Sequence, residues 1–212
     1  MKKKLIAEFI GTYFLVFAGP GAMVIDNITK SITHVGVAIT FGLVVMALIY
    51  AFGHISGAHF NPAVTLGFWV LGDMTLRDSL FYIVIQCAAA IAASYTLLLL
   101  FGNIANLGAT IPFSTEKQSF VLEFILTFVL MMVILGSAVH GKAVKGFAGI
   151  AIGGTVGLMA MFAGPISGAS MNPARSLGPA LVSGITQHLW VYLVATMFGA
   201  ITATLVYKLL HD

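Results

Sequence analysis

A fifteen-residue segment occurs twice in this chain, and this repetition constrains the fold more than any other feature. The first copy, residues 53–67, reads GHISGAHFNPAVTLG, and the second, residues 164–178, reads GPISGASMNPARSLG. The copies agree at ten of fifteen positions and lie 111 residues apart in a chain of 212. In both, Asn precedes Pro, a pair that favours a helix start because Asn caps free N–H groups and Pro needs no donor there. Each copy therefore predicts an irregular loop that leads into a short helix.

The composition places these two short helices in a membrane. Hydrophobic residues make up 59% of the chain and charged residues 8%, whereas roughly a quarter of a soluble domain is charged. Six apolar stretches are long enough to cross a bilayer, namely residues 5–25, 33–52, 80–101, 120–139, 147–163 and 189–210. The short helices, residues 62–71 and about 173–182, would each span about 15 Å, half of a bilayer core. The sequence predicts an all-α membrane protein with six transmembrane helices and two re-entrant half-helices.

The two halves of the chain are related beyond the repeated segment. Glu8 and Glu123 occupy matching positions, each early in an apolar stretch that opens one half. Each half holds three spans, an odd number, so the second half enters the membrane from the opposite side, as in the inverted repeats of many transport proteins. We expect one domain over residues 1–212, with repeats at about 1–102 and 119–212 joined by the loop 103–118.

The charged residues predict how the chain is oriented. If the amino terminus lies inside, seven basic residues are cytoplasmic and three are not, as the positive-inside rule requires. The cytoplasmic set is Lys2, Lys3, Lys4, Arg77, Lys142, Lys145 and Lys208, and the other set is Lys30, Lys117 and Arg175. This explains the net charge of +3 better than nucleic-acid binding, so no nucleic-acid partner is expected. We predict an integral protein of the cell (inner or plasma) membrane with both termini cytoplasmic, whose first span is retained because a small-residue cleavage site is lacking.

The remaining composition gives no sign of a cofactor or a metal. The single cysteine, Cys87, lies in an apolar stretch and is expected to pack between helices. His34, His54 and His59 are not spaced to bring three ligands onto one surface. No cofactor and no metal site are expected.

The repeated loops predict a pore. Non-helical backbone at membrane depth persists only where protein buries it or where it lines a water-filled cavity. Residues 53–59 and 164–170 would offer backbone carbonyls, and Asn61 and Asn172 would offer amides where the half-helices meet. Such groups replace water around small neutral molecules, while the positive N-termini of the half-helices repel cations. The pore-lining candidates are Gly57, Ala58 and His59 in the first loop and Gly168 and Ser170 in the second; a purely structural pair of loops is the alternative.

Three further charged residues lie at membrane depth. Arg175, one turn into the second half-helix, is a functional candidate because a charge there is costly; at a constriction it would repel cations. Glu8 and Glu123 either relay protons or accept hydrogen bonds from the irregular loops. We favour loop bracing, because no other acid lies inside a span to continue a relay.

The chain resembles the aquaporin (major intrinsic protein) family over essentially its whole length. The resemblance rests on the motifs Asn61-Pro62-Ala63 and Asn172-Pro173-Ala174, on six spans, on Glu in the first and fourth spans, and on Arg175. It implies a homotetramer with one pore per subunit. Residues 41–60 and 162–171 are most similar to the nodulin-26-like branch, known in plants with bacterial relatives, which passes water, glycerol and neutral metalloid acids. A bacterial member is therefore expected.

The same resemblance implies a selectivity filter with four wall positions, which map onto Phe41, Ala160, Ala169 and Arg175. Strict water channels usually carry His at the position of Ala160, and its loss widens the pore. Glycerol facilitators usually carry Asp after the Arg, where this chain has Ser176. The filter is expected to be fairly wide and amphipathic.

These features together predict a passive channel whose partners are water, small neutral solutes and the lipid bilayer. The expected solutes are glycerol, urea-like molecules and neutral metalloid acids such as arsenite, with ions and protons excluded. A strictly water-selective channel is the alternative, and a proton-coupled transporter is less favoured because titratable residues are sparse. An intramembrane enzyme built on Ser56 or Ser167 lacks a third, orienting group, so no enzymatic activity is expected.

Overall fold

The computed structural model describes residues 1–211, apart from the side chain of Lys145, and this part of the chain contains helices and no strand. The main helices are α1 (Lys2–Thr29), α2 (Thr33–Ser56), α3 (Pro62–Leu71), α4 (Leu76–Phe101), α5 (Glu116–Ile134), α6 (Ala148–Ser167), α7 (Pro173–Ser183) and α8 (Leu189–His211). All except α3 and α7 are long and apolar enough to cross a membrane. The predicted architecture of six spans and two half-helices is confirmed.

Each half-helix is held by the opposite half of the chain. α3 packs against α8, and α7 packs against α4, while α2 and α6 form the most extensive contact between the halves. Within the halves, α1 packs on α4 and α5 packs on α8. The two repeats are therefore interlocked, and neither half-helix is surrounded by its own repeat alone.

Glycines bring α2 and α6 into backbone contact. A Cβ atom placed on Gly153 would lie 2.6 Å from the carbonyl oxygen of Gly42, and one placed on Gly42 would lie 3.1 Å from the Cα of Gly157. Small residues at four-residue spacing permit such close approach of helices in a membrane. The seam fixes the distance between the two helices that supply Phe41 and Ala160.

The irregular loops are shorter than the sequence indicated. Residues 53–56 and 164–167, predicted as loop, are the last turns of α2 and α6, so the coil covers only residues 57–61 and 168–172. Each helix ends at a left-handed glycine, Gly57 or Gly168, both with φ of 88°, whose N–H still donates to the carbonyl four residues back. Continued helix satisfies backbone groups that no water reaches, and this outweighs the helix-breaking tendency of Gly and Pro.

Pro165 is tolerated inside α6 because another helix replaces the hydrogen bond it removes. A proline has no N–H to donate to the carbonyl four residues earlier, here that of Met161. Nε2 of His34 donates to the Met161 oxygen at 2.6 Å instead. His34 is thus explained by helix packing.

The segment between α4 and α5 is an ordered cap over one end of the bundle. It contains a single turn, Ile104–Gly108, in which Ala105, Asn106 and Leu107 all have left-handed φ values of 50–53°. Leu107 is fully buried. The segment packs on α1 and α7, which brings its backbone to the region of Arg175.

Candidate pore

The two half-helices meet at their N-termini through reciprocal hydrogen bonds. Nδ2 of Asn61 donates to the carbonyl of Met171 at 2.7 Å, and Nδ2 of Asn172 donates to the carbonyl of Phe60 at 2.8 Å. The side-chain oxygen of each Asn caps its own half-helix: Asn61 accepts a hydrogen bond from the N–H of Ala63, and Asn172 accepts one from the N–H of Ala174. One N–H of each amide is therefore committed to the opposite loop and one is left for a molecule in the pore.

Both loops carry the same backbone strain. Ala58 and Phe60 in the first loop, and Ala169 and Met171 in the second, have left-handed φ values of 52°, 50°, 41° and 53°. Non-glycine residues in this region cost about 1 kcal/mol each or more, and persist only where their surroundings fix them. The loops must therefore be held by strong contacts.

The carboxylates of Glu8 and Glu123 make those contacts. Glu8 accepts hydrogen bonds from the backbone N–H groups of His59 and Phe60 at 3.0 and 2.7 Å and from the hydroxyl of Ser56 at 2.7 Å. Glu123 accepts the equivalent set in the second repeat, from Ser167, Ser170 and Met171, at 2.7 to 2.9 Å. Both carboxylates are fully buried, so each loop is tied to the first helix of its own repeat.

Several supporting residues were not identified from the sequence. Nε2 of Gln86 donates to Glu8 at 2.8 Å and to Thr65 at 3.1 Å. In the second repeat, the hydroxyl of Ser176 is hydrogen-bonded to Thr110 at 2.8 Å and to Ser170 at 2.6 Å. Gln86 had a detectable signal, because it is an isolated amide in an apolar span; Thr110 lies in the inter-repeat segment and had none.

A cavity of about 720 Å³ runs past the junction of the half-helices. Arg175 and Phe41, which contact each other, line one end of it, and His54, which is thirteen residues further along α2 and hence about 20 Å away, lines the other end. The residues predicted for the pore that line it are Asn61, Asn172, Gly57, Ala58, His59 and Ser170. Those outside its lining are Pro62, Ala63, Pro173, Ala174 and Gly168; the first four form the buried first turns of the half-helices.

Three of the four predicted filter residues line the end of this cavity. They are Phe41, Ala169 and Arg175. Ala160 is 8% exposed and lies one helical turn beyond Val156, which does line the cavity. The Phe41 ring fits beside α1 only because residue 19 is glycine, where a Cβ atom would overlap the ring.

Arg175 is buried without a carboxylate partner. Nη1 donates to the carbonyl of Gly108 at 2.7 Å, Nη2 contacts Sδ of Met23 at 3.5 Å, and Cζ lies 5.0 Å from the centre of the Phe41 ring. Among the described residues, Nε has no hydrogen-bond partner, and the only close contact of a carboxylate with a basic side chain is that of Glu116 with His188, which does not involve Arg175. The charge is thus solvated by a carbonyl, a sulfur, an aromatic face and whatever occupies the pore.

The carboxylates and imidazoles of the described residues are not arranged to hold a metal: no group of three or more His, Cys, Asp or Glu residues is suited to one. His59 is hydrogen-bonded through Nδ1 to Thr65 at 3.1 Å and stacks on Phe68 with ring centres 4.4 Å apart. Its ring is therefore held in the pore wall.

Comparison with known proteins gives a family for nearly the whole chain. Residues 1–207 match the family model described as major intrinsic protein. Aquaporin NIP1-4 of Oryza sativa subsp. japonica is 50% identical over 208 residues, which cover 98% of this chain and 76% of the relative. Nodulin-26 of Glycine max is 50% identical over 211 residues, which cover 99% of this chain and 78% of the relative.

The structural comparison agrees with the sequence comparison. The X-ray structure of the aquaglyceroporin from Plasmodium falciparum superposes with a TM-score of 0.85 and 26% identity, covering 97% of this chain and 95% of that one. The fold and the paired half-helices place the protein in the class of membrane channels. The chain belongs to the major intrinsic protein family, and its similarity to nodulin-26 and NIP-type relatives confirms the resemblance to that branch.

Proposed function

We propose that this protein is a passive channel for water and small uncharged solutes. The observation that carries the proposal is the part of the cavity lined by Arg175, Phe41 and Ala169, where a buried cation lies against an aromatic ring and beside a methyl group. A charged donor adjacent to apolar surface suits a molecule that carries both hydroxyl groups and C–H groups. The names of the relatives, aquaporin and aquaglyceroporin, support the same class of solute.

We expect the filter to admit solutes larger than water, because Ala160, one turn beyond the cavity-lining Val156, carries a methyl group where strict water channels of the family usually carry His. The guanidinium of Arg175 uses one N–H on Gly108 and one on Met23, so its other N–H groups are available to an oxygen of the solute. Glycerol, urea-like molecules and neutral metalloid acids such as arsenite present such oxygens. Selectivity then follows from pore diameter and from the donors that line it.

Ions and protons are excluded by fixed positive charge. The Arg175 guanidinium stands at one end of the cavity, and the N-termini of α3 and α7 point their dipoles at its centre. A cation that entered would lose hydration and meet positive potential at both places. Hydrogen bonding of each Asn amide to the opposite loop keeps these groups in fixed orientation.

The hydrogen bonds of the two buried carboxylates argue against the alternative function, a proton-coupled transporter. Glu8 and Glu123 each accept at least three hydrogen bonds from loop and side-chain donors. A carboxylate that cycles protons must exchange partners, and a rocking mechanism must break contacts between repeats. Here the half-helices are packed into the opposite repeats, which favours a static pore.

The channel acts in the cell membrane as a homotetramer with a pore in each subunit and both termini in the cytoplasm. The family resemblance supports the tetramer, and the distribution of basic residues supports the orientation. Exposed large hydrophobic side chains on the long helices, such as Val84 and Leu99, provide surface for lipid and for neighbouring subunits.

Stopped-flow light scattering on proteoliposomes tests the proposal. Water, glycerol, urea and arsenite fluxes should each exceed those of protein-free vesicles, should rise linearly with the solute gradient, and should be unaffected by a proton gradient. Saturable or uphill uptake would favour a transporter, and water flux without solute flux would favour a strictly water-selective channel.

A further inference from the structure

One face of α1 forms part of the surroundings of Arg175, and nothing in the motif pattern indicates it. Gly19 accommodates the Phe41 ring, Pro20 packs against Gly108, and Met23 contacts Nη2 of Arg175. These three positions are spaced so that they share one side of a helix. The side chain of Met23 is thereby placed directly against the cation of the filter.

The contact between Met23 and Arg175 is weak as it stands. A thioether sulfur is a poor hydrogen-bond acceptor, and the Sδ–Nη2 distance is 3.5 Å. In the same guanidinium, the buried Nε has no partner among the described residues. An oxygen atom added to the sulfur would be a strong acceptor beside a charged donor that is short of partners.

We propose that Met23 is an oxidation site that lowers the permeability of the channel. Hydrogen peroxide transfers one oxygen atom to the sulfur: the O–O bond breaks, an S–O bond forms, the sulfur is oxidised by two electrons, and water leaves. The sulfoxide oxygen then accepts a hydrogen bond from the Arg175 guanidinium. It competes with the oxygen of a passing solute for those N–H groups and adds bulk beside the filter.

Peroxide has access to this sulfur because of where Met23 lies. Its side chain is only partly buried, and although it is outside the cavity lining, its sulfur touches Arg175, which does line the cavity. Peroxide is small, neutral and rich in hydrogen-bonding groups, like the solutes proposed above. The inference therefore rests on the proposed channel function. Two other methionines serve as comparisons: Met171, which lines the cavity in the second loop, and Met161, which is 39% exposed on α6.

The test uses full-length protein in proteoliposomes, with glycerol permeability measured before and after hydrogen peroxide treatment and removal of the peroxide by catalase. The wild-type permeability is expected to fall about threefold to tenfold, as expected for competition with one charge-assisted hydrogen bond. Methionine sulfoxide reductases A and B together should restore it. Peptide mapping should find the mass of one added oxygen on the peptide that contains Met23.

Variants show which sulfur atom causes the fall in glycerol permeability. Each variant is compared before and after peroxide treatment. Met23→Leu should lose the response to peroxide, whereas Met171→Leu and Met161→Leu should keep it. Met23→Gln, which places an amide oxygen near the guanidinium, should be less permeable than wild type before treatment and insensitive to peroxide.

The outcomes separate this inference from the channel proposal. A peroxide response that persists in Met23→Leu, or a wild type that carries Met23 sulfoxide at unchanged permeability, overturns the oxidation site and leaves the channel intact. Untreated wild type no more permeable than protein-free vesicles overturns both. If Met23→Leu does not insert into vesicles, the test uses Met171→Leu. Loss of its glycerol permeability on peroxide treatment and recovery with the reductases, with the added oxygen mapped to Met23, support the proposal. An added oxygen mapped to another residue overturns it.

Discussion

Arg175 holds a positive charge in the interior of the molecule without a carboxylate in direct contact, and its surroundings explain how the charge is tolerated. A carbonyl oxygen, a sulfur and an aromatic face contact the guanidinium, and the nearest titratable acid of its own repeat, Glu123, is occupied by the second loop. Such contacts stabilise the cation without neutralising it, as a carboxylate would. The charge that remains is the barrier to other cations that we propose.

Replacing Arg175 with Ala should make the pore leak protons. We expect proton flux to rise by about tenfold or more, because a barrier of one buried charge is worth more than 1.4 kcal/mol, while water flux is retained or increased. The measurement is the decay of a pH gradient across liposomes that contain a pH-sensitive dye, with a valinomycin-clamped potential. Arg77→Ala is the matched control, since that guanidinium lies outside the cavity lining, over Phe81. An equal leak in both variants would contradict the role proposed for Arg175.

Glu123→Gln should destabilise the fold and leave ion permeability unchanged. Both carboxylate oxygens accept hydrogen bonds, and a glutamine would turn an NH₂ group toward one of these donors. A lost buried hydrogen bond of this kind costs about 1–3 kcal/mol, so the yield of monodisperse protein and the unfolding temperature in detergent should both fall. Asp73→Asn, in the exposed turn after α3, should change neither. A clear change in proton coupling of Glu123→Gln would instead favour a relay.

The residues that the motif pattern indicated differ from those that only the structure reveals. Asn61 and Asn172 were predictable because each precedes Pro at the same position of a repeated segment, where Asn caps a helix start. Arg175, which aligns with Val64 of the first copy, was predictable because a charge at membrane depth is costly. Gly108 and Met23 were not predictable, because their contacts with Arg175 join segments 67 and 152 residues away in sequence. No local pattern encodes such contacts.

At the scale of helices, the sequence located all eight main helices, α1 to α8, but misplaced several of their ends and did not predict the turn Ile104–Gly108. Hydropathy marks the part of a helix that lies in lipid, so α1, α4 and α5 begin three to four residues before the predicted starts of 5, 80 and 120. In α2 and α6 the error had another cause, since Gly and Pro were taken as helix breaks where buried backbone requires helix to continue. This left the loops at 57–61 and 168–172 shorter than expected.

The glycine seam between α2 and α6 should be sensitive to a single methyl group. Gly153→Ala would place a Cβ atom 2.6 Å from the Gly42 carbonyl oxygen, and relieving such overlap by backbone shifts costs about 1–3 kcal/mol. We expect the unfolding temperature in detergent to fall by several degrees. At the neighbouring Gly154 a Cβ atom meets nothing within 4 Å, so Gly154→Ala should be neutral or slightly stabilising. Equal effects at both positions would contradict the close contact.

The whole molecule is an inverted pair of repeats, each supplying a half-helix that the other holds. Six spans place both termini on the same face of the bundle. The number of spans and the inversion followed from the sequence because each half contains an odd number of apolar stretches. The sequence did not predict which helices pack against one another. All six apolar stretches have similar hydropathy, and only the shapes of their side chains distinguish the packing partners.

The orientation of the molecule is open to direct labelling. In a Cys87→Ser background, Ser114→Cys lies in the segment before α5 and Gly141→Cys in the turn after it, and both positions are exposed. A membrane-impermeant maleimide should label Ser114→Cys in intact cells and Gly141→Cys only after permeabilisation. The opposite pattern would place the termini outside.

The solute range tests the central claim, a pore widened where Ala160 replaces an imidazole and guarded by Arg175. The decisive measurement compares water, glycerol and arsenite permeability of wild type and Ala160→His in the same vesicle preparation. We predict that wild type passes all three, and that Ala160→His loses about tenfold or more of its glycerol and arsenite flux while its water flux changes by no more than about twofold. Wild-type vesicles that pass water alone, or an Ala160→His variant with unchanged glycerol flux, would contradict the account.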